Sequence, residues 1–407
     1  MKQTVIVIGN NYATRLGVIR SVGSLGCDVV VIHVVNSHHG SYGPKPIDCY
    51  SKYVSQFLFF NRSDGEEGMV KLLLEKFVDD SIQTIIIPTS DFSALAIDND
   101  TIKKHFHVPC VHNEINSIGF WMDKANQKEL ALRVGLDSAD SVVIEKREKG
   151  YEMPDGIRYP CFTKPIASIG AGKKCLQRCD NAIALQKVLE IAEKNGIQKI
   201  LVEDYIDIEQ EYAIIGFSDG NDVVIPGIIE FQRECQSHKG IAMTGKVMPI
   251  DRFEELIELF KIFIRQLGFV GLFDIDFFKS KGKFYFDELN LRMGGSGTAI
   301  SSMGINTPVM FVKKMLGESI DDMSRFVTNS ASFLNERMAM DDFLSGKMSI
   351  RDYLRLIKSA DIHFVKDEID IVPYKELCRV FRRNVFNYKR VIKQVFHILK
   401  TRTDYFR

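Results

Sequence analysis

From Phe284 to Arg292 the sequence Phe-Tyr-Phe-Asp-Glu-Leu-Asn-Leu-Arg sets a carboxylate, an amide and a guanidinium at alternate positions: Glu288, Asn290 and Arg292. Aromatic residues at every second position predict a strand, and alternate residues of a strand share a face. A carboxylate beside an amide carbonyl offers the hard oxygen ligands that Mg²⁺ takes when it also holds substrate phosphates. Arg292 extends that face with a rigid cationic fork suited to phosphate or carboxylate. Buried among Phe, Tyr and Leu, this polarity needs a compensating ligand. The alternative is the polar edge of a half-buried strand.

Phe269 to Phe278 predicts a second strand, followed by the short turn Ser280-Lys281-Gly282. A three-residue hairpin loop ending on a left-handed glycine is a common connection. It would set Lys279 opposite Lys283 and Asp276 opposite Phe286, so that Asp276 lies diagonally beside Glu288. Asp276, Glu288 and Asn290 then form one acidic metal-binding patch, and Asp274 shares the face of Asp276. A two-residue loop would turn Asp276 to the opposite face, so the register tests the reading.

This pattern resembles the ATP-grasp superfamily, whose members place an acidic residue on one strand and Glu-x-Asn-x-Arg on the next. The resemblance implies ATP with Mg²⁺ (Mn²⁺ being an alternative), held by Asp276, Glu288 and Asn290, with Arg292 at the reacting groups. Asn290-Leu291-Arg292, then Gly294-Gly295-Ser296-Gly297 and Gly304-Ile305-Asn306-Thr307-Pro308, are most similar to the carboxylate–amine ligase branch. The D-aspartate ligases are the nearest named group.

Further elements follow in the order the resemblance expects. Tyr159 to Pro165 predicts a strand ending at Lys164, and runs into a loop containing Ser168, Gly170 and Gly172. Glycines let backbone N–H groups fold over phosphate and lysines supply charge; a plain surface turn is the bland alternative. The resemblance makes Lys164 a phosphate contact and the loop a lid. Trp121 to Gly135 predicts a helix capped by Asp123 and stopped by Gly135, with Lys124 where the superfamily places a second phosphate lysine. Glu203-Asp204-Tyr205-Ile206 matches the hinge that holds adenine, and Glu211 matches the acceptor of the ribose hydroxyls. A basic residue near the γ-phosphate is implied among Arg233, Lys239 and Lys246, with Arg233 favoured.

Formal net charge is zero, with 53 basic and 53 acidic residues, so nothing favours nucleic acid. No apolar run approaches membrane-spanning length, and Met1-Lys-Gln-Thr leads into a strand and not a signal peptide. Eight cysteines lack metal-like pairing; Cys175 and Cys179 are the closest, and reduced thiols in the cytoplasm are expected.

Thr4–Ile8, a helix near Arg15–Leu25, Val29–Val35 and Thr84–Ile87 alternate as in a small parallel sheet with helical crossovers. The expected class is α/β. It comprises an N-terminal parallel-sheet domain (1–113), the two lobes of an ATP-grasp domain (114–200 and 201–320) and a C-terminal extension (321–407). Gly9-Asn10-Asn11 and Pro88-Thr89-Ser90-Asp91 follow strands, where open α/β sheets bind ligands. Asn11, Arg15 and Asp91 are therefore substrate candidates. Gly9 is not part of Gly-x-Gly-x-x-Gly, so a nicotinamide cofactor is not expected. An amphipathic helix over Asp251–Leu267 should pack on the sheet.

Tyr374 to Arg407 carries ten Lys or Arg against Glu376 and Asp404, with apolar residues from Leu377 to Leu399 at helical spacing. Such a helix can lie on an anionic membrane, with a lipid-linked envelope precursor as substrate, or dock on the protein body.

The resemblance implies a ligase that phosphorylates a carboxylate with ATP and joins the acyl phosphate to an amine, with amino-acid or sugar-acid substrates. The alternatives are a carbamoyl-phosphate-type enzyme acting on bicarbonate or carbamate, and a non-catalytic ATP-binding regulator. Small-molecule partners are expected, with peripheral membrane contact and a homodimer as open options.

Overall fold

The structure is a computed structural model; it describes residues 2–36, 43–113, 115, 117–148, 150–166 and 174–385. The first unit alternates strands and helices: β1 (Lys2–Gly9), α1 (Tyr12–Gly23), β2 (Asp28–Val35), β3 (Val54–Asn61), α2 (Gly65–Phe77), β4 (Ile82–Pro88), α3 (Asp91–Ile97) and α4 (Asp100–His105). Its sheet is parallel, in the order β3-β2-β1-β4. The Val/Ile runs are apolar throughout because both faces are covered. Ile6, Ile8 and Ile86 pack with Met69, Leu73 and Phe92, while Val5, Val7 and Ile85 pack with Val18 and Val22 of α1.

Helix α1 starts at Tyr12, earlier than the sequence suggested, because the Asn11 side chain accepts the Ala13 N–H at 3.0 Å and caps it. Arg15 is fully buried; it donates to both Asp48 oxygens at 2.7 and 2.9 Å and to the Gly9 carbonyl. Both were expected near a substrate. The structure uses one as a cap and the other as a buried ion pair pinning the sheet, which takes Arg15 out of reach of a ligand.

A short strand, β5 (Cys110–Val111), and the helices α5 (Ile118–Trp121) and α6 (Lys124–Arg133) lead into the small lobe. This is built from β6 (Ser141–Arg147), β7 (Gly150–Tyr151), β8 (Cys161–Pro165), β9 (Gln177–Cys179), α7 (Ala182–Lys194) and β10 (Lys199–Asp204). The strands pair in the order β7-β6-β10-β8-β9, and α7 buries Leu185, Val188, Leu189 and Ala192 beneath them. Strand β10 crosses the expected division at 200 and carries this lobe on to Asp204.

The large sheet contains β11 (Gln210–Asp219), β12 (Val223–Val224), β13 (Ile228–Glu234), β14 (Ala242–Met248), β15 (Phe269–Ser280), β16 (Lys283–Asn290), β17 (Ala331–Leu334) and β18 (Ile362–His363). Their order is β16-β15-β11-β13-β14-β17-β18, with β12 beside β11 and β5 beside β15. Helix α8 (Glu254–Leu267) lays Ile257, Phe260, Phe263, Ile264 and Leu267 against Ile214, Phe273, Ile275 and Phe277. The opposite face, through Ala213, Ile215, Phe217 and Leu272, shares a core with the first unit and with α9 (Gly297–Ser302) and α10 (Thr307–Met315).

The extension adds α11 (Glu336–Leu344), α12 (Ile350–Ser359) and α13 (Val372–Val385). Leu377 is buried, and Val380 and Phe381 pack with Leu16, Met340 and Val365. Phe381 stacks on Tyr353 at 5.5 Å. From Leu377 to Phe381 the apolar stripe of the basic helix therefore covers protein; Tyr388 to Leu399 lie outside the described residues. Among the described residues no helix is long and apolar enough to cross a membrane.

Replacing Asp48 with Ala strands the Arg15 charge in the core. The expected loss is about 3–5 kcal/mol of unfolding free energy, measured by urea denaturation.

Candidate active site

The turn between β15 and β16 has two residues, Lys281 and Gly282, with φ of 47° and 79°. Two successive positive φ values make a tight hairpin turn whose twist suits the strands. Ser280 then faces Lys283 and Lys279 faces Phe284, one residue away from the expected register. Continued unchanged, this pairing would turn Glu288 to the α8 side with Phe284 and Phe286. A β-bulge prevents that: Phe277 faces Phe286, whereas Asp276 faces Glu288, leaving Asp287 as the extra residue. Bulges re-aim side chains in this way. Asp276 is thus directly opposite Glu288, and Asp274 opposite Asn290. All four share the face turned away from α8, and the sequence reading of a diagonal contact is corrected to a direct one.

Helix α6 lies along this strand. Asp123 caps it through Ala125 N–H at 2.8 Å. Positions 124, 127 and 128 share one face of a helix, and all three reach the site. Lys124 pairs with Glu288. Gln127 donates to Leu289 O at 2.7 Å and accepts from Leu289 N at 2.9 Å, satisfying the edge of β16 between Glu288 and Asn290. Lys128 pairs with Glu203 on β10. Lys164 on β8 holds the other Glu203 oxygen at 2.9 Å and also pairs with Asp287. Burial alone would lower the Lys164 pKa, but Asp287 and Glu203 more than offset it and the ammonium is stabilised. Burial would likewise raise Asp287, and Lys164, with Lys124 and Lys128, holds it below the usual carboxylate value.

Arg292 donates through Nε to Asp91 at 2.8 Å and through Nη1 to Asp274 at 3.2 Å. Asp91 thus does come to the site, as the partner of Arg292. Just beyond, Gly294 passes so near that a Cβ there would lie 2.2 Å from Asp274 Oδ2. Burial raises the Asp274 carboxyl, Arg292 pulls it back, and Glu288 and Asp91 push it up again, to about 6. Asp276 rises well above its ordinary value through burial and the Asp274, Glu288 and Asp287 carboxylates.

The donor set fits Mg²⁺ or Mn²⁺. Asp274 Oδ1 is buried without a hydrogen-bond partner, and Asp276 is crowded by carboxylates, so a cation would relieve both. Among the described residues no three acidic, His or Cys side chains stand together as a complete metal cage. Mg²⁺ typically takes one or two carboxylates and completes its octahedron with phosphate and water oxygens. Asp276, Glu288 and Asn290 would hold it.

Ser168, Gly170 and Gly172 lie outside the described residues. Asp204 closes β10 and pairs with Arg158, Tyr205 donates its N–H to Pro160 O at 3.1 Å, and Ile206 continues the connector to β11. The Arg178 guanidinium sits 4.3 Å over the Tyr205 ring. The Glu203 carboxylate turns inward to Lys128 and Lys164. Glu211 is exposed; partial desolvation, with Glu234 and Asp287 nearby, raises its pKa.

The basic candidates on β13 and β14 correct the expectation. Lys246 faces Glu230, which faces Tyr212, whereas Asp276 faces Ala213. Facing residues share a side, so Lys246 points away from Asp276. A bulge sets Arg233 opposite Thr244, two residues from Lys246 and on its side. Lys239 is exposed in the turn between these strands. Asp287, Gln127 and Lys128 are the site residues missed in the sequence. For the last two the spacing from Lys124 was the available signal.

Fold and site together define a two-lobed cleft in which buried lysines face an acidic hairpin. Residues 129–304 match the family model of the ATP-grasp domain, and the chain carries an ATP-grasp domain. The carbamoyl phosphate synthase large chain of Clostridium acetobutylicum is 25% identical over 257 residues, covering 59% of this chain and 24% of that one. The chain thus spans about a quarter of the length of such relatives. N5-carboxyaminoimidazole synthetase from Staphylococcus aureus complexed with ADP superposes with a TM-score of 0.62 at 18% identity, covering 87% of each chain. L-amino acid ligase from Bacillus licheniformis superposes with a TM-score of 0.59 at 16% identity, covering 81% of this chain and 79% of that one.

Deleting Asp287 makes Phe286 and Glu288 consecutive, so strand alternation still sets Glu288 opposite Asp276 and only the Asp287 partner of Lys164 is lost. Mg²⁺-dependent nucleotide binding measured by calorimetry should therefore weaken to a similar extent in the deletion and in Asp287→Asn, and loss in the deletion alone would show that the bulge itself is required. A pH effect follows from Asp274, whose folded value of about 6 exceeds the unfolded value of about 3.9. The stability it contributes is present below the unfolded value and is lost as pH rises to the folded one. The melting temperature of the unliganded protein should fall across that window, and Asp274→Asn should shallow the slope.

Proposed function

We propose that this protein is an ATP- and Mg²⁺-dependent ligase that activates a carboxylate as an acyl phosphate and joins it to an amine. The observation that carries the reading is the ion-paired set of buried Lys124 and Glu203 with half-buried Lys164, Asp287 and Glu288 at the β16 bulge, beside Asp276, Asn290 and Arg292. A carboxylate acylates poorly because its leaving group would be oxide. Transfer of the γ-phosphoryl from ATP gives a mixed anhydride and ADP. An amine then attacks the acyl carbon, the C–N bond forms, the C–O bond to phosphate breaks, and phosphate leaves with the amine proton lost to solvent.

Such chemistry needs neutralisation of spreading phosphoryl charge and no covalent protein nucleophile. Lys124 and Lys164 supply positive charge from the two sides of the cleft, and both are already desolvated. Bound Mg²⁺ would add Lewis-acid neutralisation of the phosphate oxygens. Arg292, held rigidly by Asp91 and Asp274, orients a carboxylate or acyl phosphate at the junction with the first unit. We place the substrates among amino acids or sugar acids; the L-amino acid ligase of the same fold supports the former. The likeness to carbamoyl phosphate synthase favours one second reading, phosphorylation of bicarbonate or carbamate.

ADP release measured against a panel of carboxylates and amines tests both. Release that needs a carboxylate–amine pair is expected, and release with bicarbonate alone would establish the second reading. ATP binding without turnover on any pair would leave a non-catalytic nucleotide binder. Glu288→Gln should cut turnover by at least about 100-fold with an unchanged circular dichroism spectrum.

A further inference from the structure

One buried charged residue on α6 has no place in this chemistry. Lys128 lies a turn beyond Lys124, its side chain 5% exposed. Its ammonium donates to Ala139 O at 3.2 Å and pairs with Glu203 Oε1. Glu203 Oε2 holds Lys164 at 2.9 Å, and Lys164 continues to Asp287. The four side chains form a row of alternating charge that runs from the helix, across β10 and β8, to the bulge of β16.

We propose that Lys128 is a positioning residue for nucleotide phosphates, acting through Glu203 on Lys164 and touching no substrate itself. The inference rests on the ligase reading only in bringing phosphates to Lys164. Glu203 is 4% exposed, and a buried carboxylate needs a counter-ion. With Lys128 present, each oxygen of Glu203 has its own cation, and Lys164 is held by only part of the charge. Its ammonium therefore stays shared between Glu203 and Asp287, at the cleft. Without Lys128 the whole Glu203 charge would fall on Lys164, in surroundings where attraction is poorly screened. Lys164 would be drawn back toward β10 and away from an incoming phosphate. Lys128 thus keeps the phosphate lysine available by occupying its competitor.

A purely structural role would predict something different: neutralising Lys128 would lower stability and leave phosphate recognition unchanged. Calorimetric titration of full-length protein with ADP and with adenosine, both with Mg²⁺, separates the two. Lys128→Met should weaken ADP by about tenfold, the scale of a lost charge-assisted contact, and leave adenosine unchanged. The double variant Lys128→Met/Glu203→Gln should recover most of the ADP-to-adenosine preference, because a neutral amide no longer competes for Lys164. Thermal melts confirm folding. If Lys128→Met does not fold, Lys128→Gln, which can still donate to Ala139 O, should show the same loss. An unchanged preference in the single variant, equal weakening of both ligands, or no recovery in the double variant overturns the inference. Wild-type protein that binds neither ADP nor adenosine overturns the ligase reading itself, and this inference with it.

Discussion

Asp287 is the residue at which two positions of β16 oppose one of β15, and the site depends on that extra residue. Before it, Phe284 and Phe286 point into the core beneath α8 with Phe277. After it, Leu289 and Leu291 do so, and the intervening Glu288 and Asn290 are turned to the cleft. A strand without the bulge would have to bury either the acids or the aromatics on the wrong side. The bulge removes this conflict locally. It also aims Asp287 itself at Lys164, so the irregularity supplies an ion-pair partner as well as a register.

An edge strand carrying a bulge is exposed to slippage unless its free backbone groups are engaged. Here the engagement comes from outside the sheet. Gln127 binds both polar groups of Leu289, and Phe286 donates to Asp137 O at 2.8 Å. Because Gln127 sits between Lys124 and Lys128 on α6, the helix that secures the strand also delivers the two cations. Backbone fixing and charge placement are one device. The carboxylates could not remain ionised at this depth without such partners, and the partners are of the kind a polyphosphate or a divalent cation can replace. An unliganded site of this type is stable because its own lysines stand where the ligand's charges would otherwise be needed.

Period and capping revealed many of the elements that carry the site. The alternating Val/Ile strands of the first unit, the cap at Asp123, the helix α8 and the hairpin of β15 and β16 were all legible. The acidic set Asp276, Glu288 and Asn290 was legible too, but for an incomplete reason. A three-residue turn was expected, whereas Lys281-Gly282 form a two-residue turn and the bulge further along restores the shared face. Bulges have weak sequence signals, since any residue can be the extra one, so Asp287 could not be singled out. Arg15 and Asn11 carry structural contacts that the sequence did not announce, for a different reason. A polar residue near a strand's carboxyl end reads alike whether it meets a ligand, caps a helix or pairs inside the fold, and only the position of Asp48 decides. Arg233 and Lys246 depended on registers between distant strands, which local pattern does not contain.

The first unit has a part in the site that its own sequence does not announce. Asp91 opens α3, beyond the carboxyl end of β4, and grips Arg292. Pro88 O accepts the Met293 N–H at 3.3 Å, and Gly294 closes against Asp274 because it has no Cβ. The segment leaving β16 is therefore held between a loop of the first unit and a carboxylate of the large sheet. Arg292 cannot turn without breaking contacts on both sides. A guanidinium fixed this way loses little freedom when it binds an anion, which favours orientation over reach. The parallel sheet at the start of the chain thus does more than cover the apolar face of β11 and β15. By fixing Arg292 it holds a guanidinium beside the acidic hairpin, at the junction of the two units.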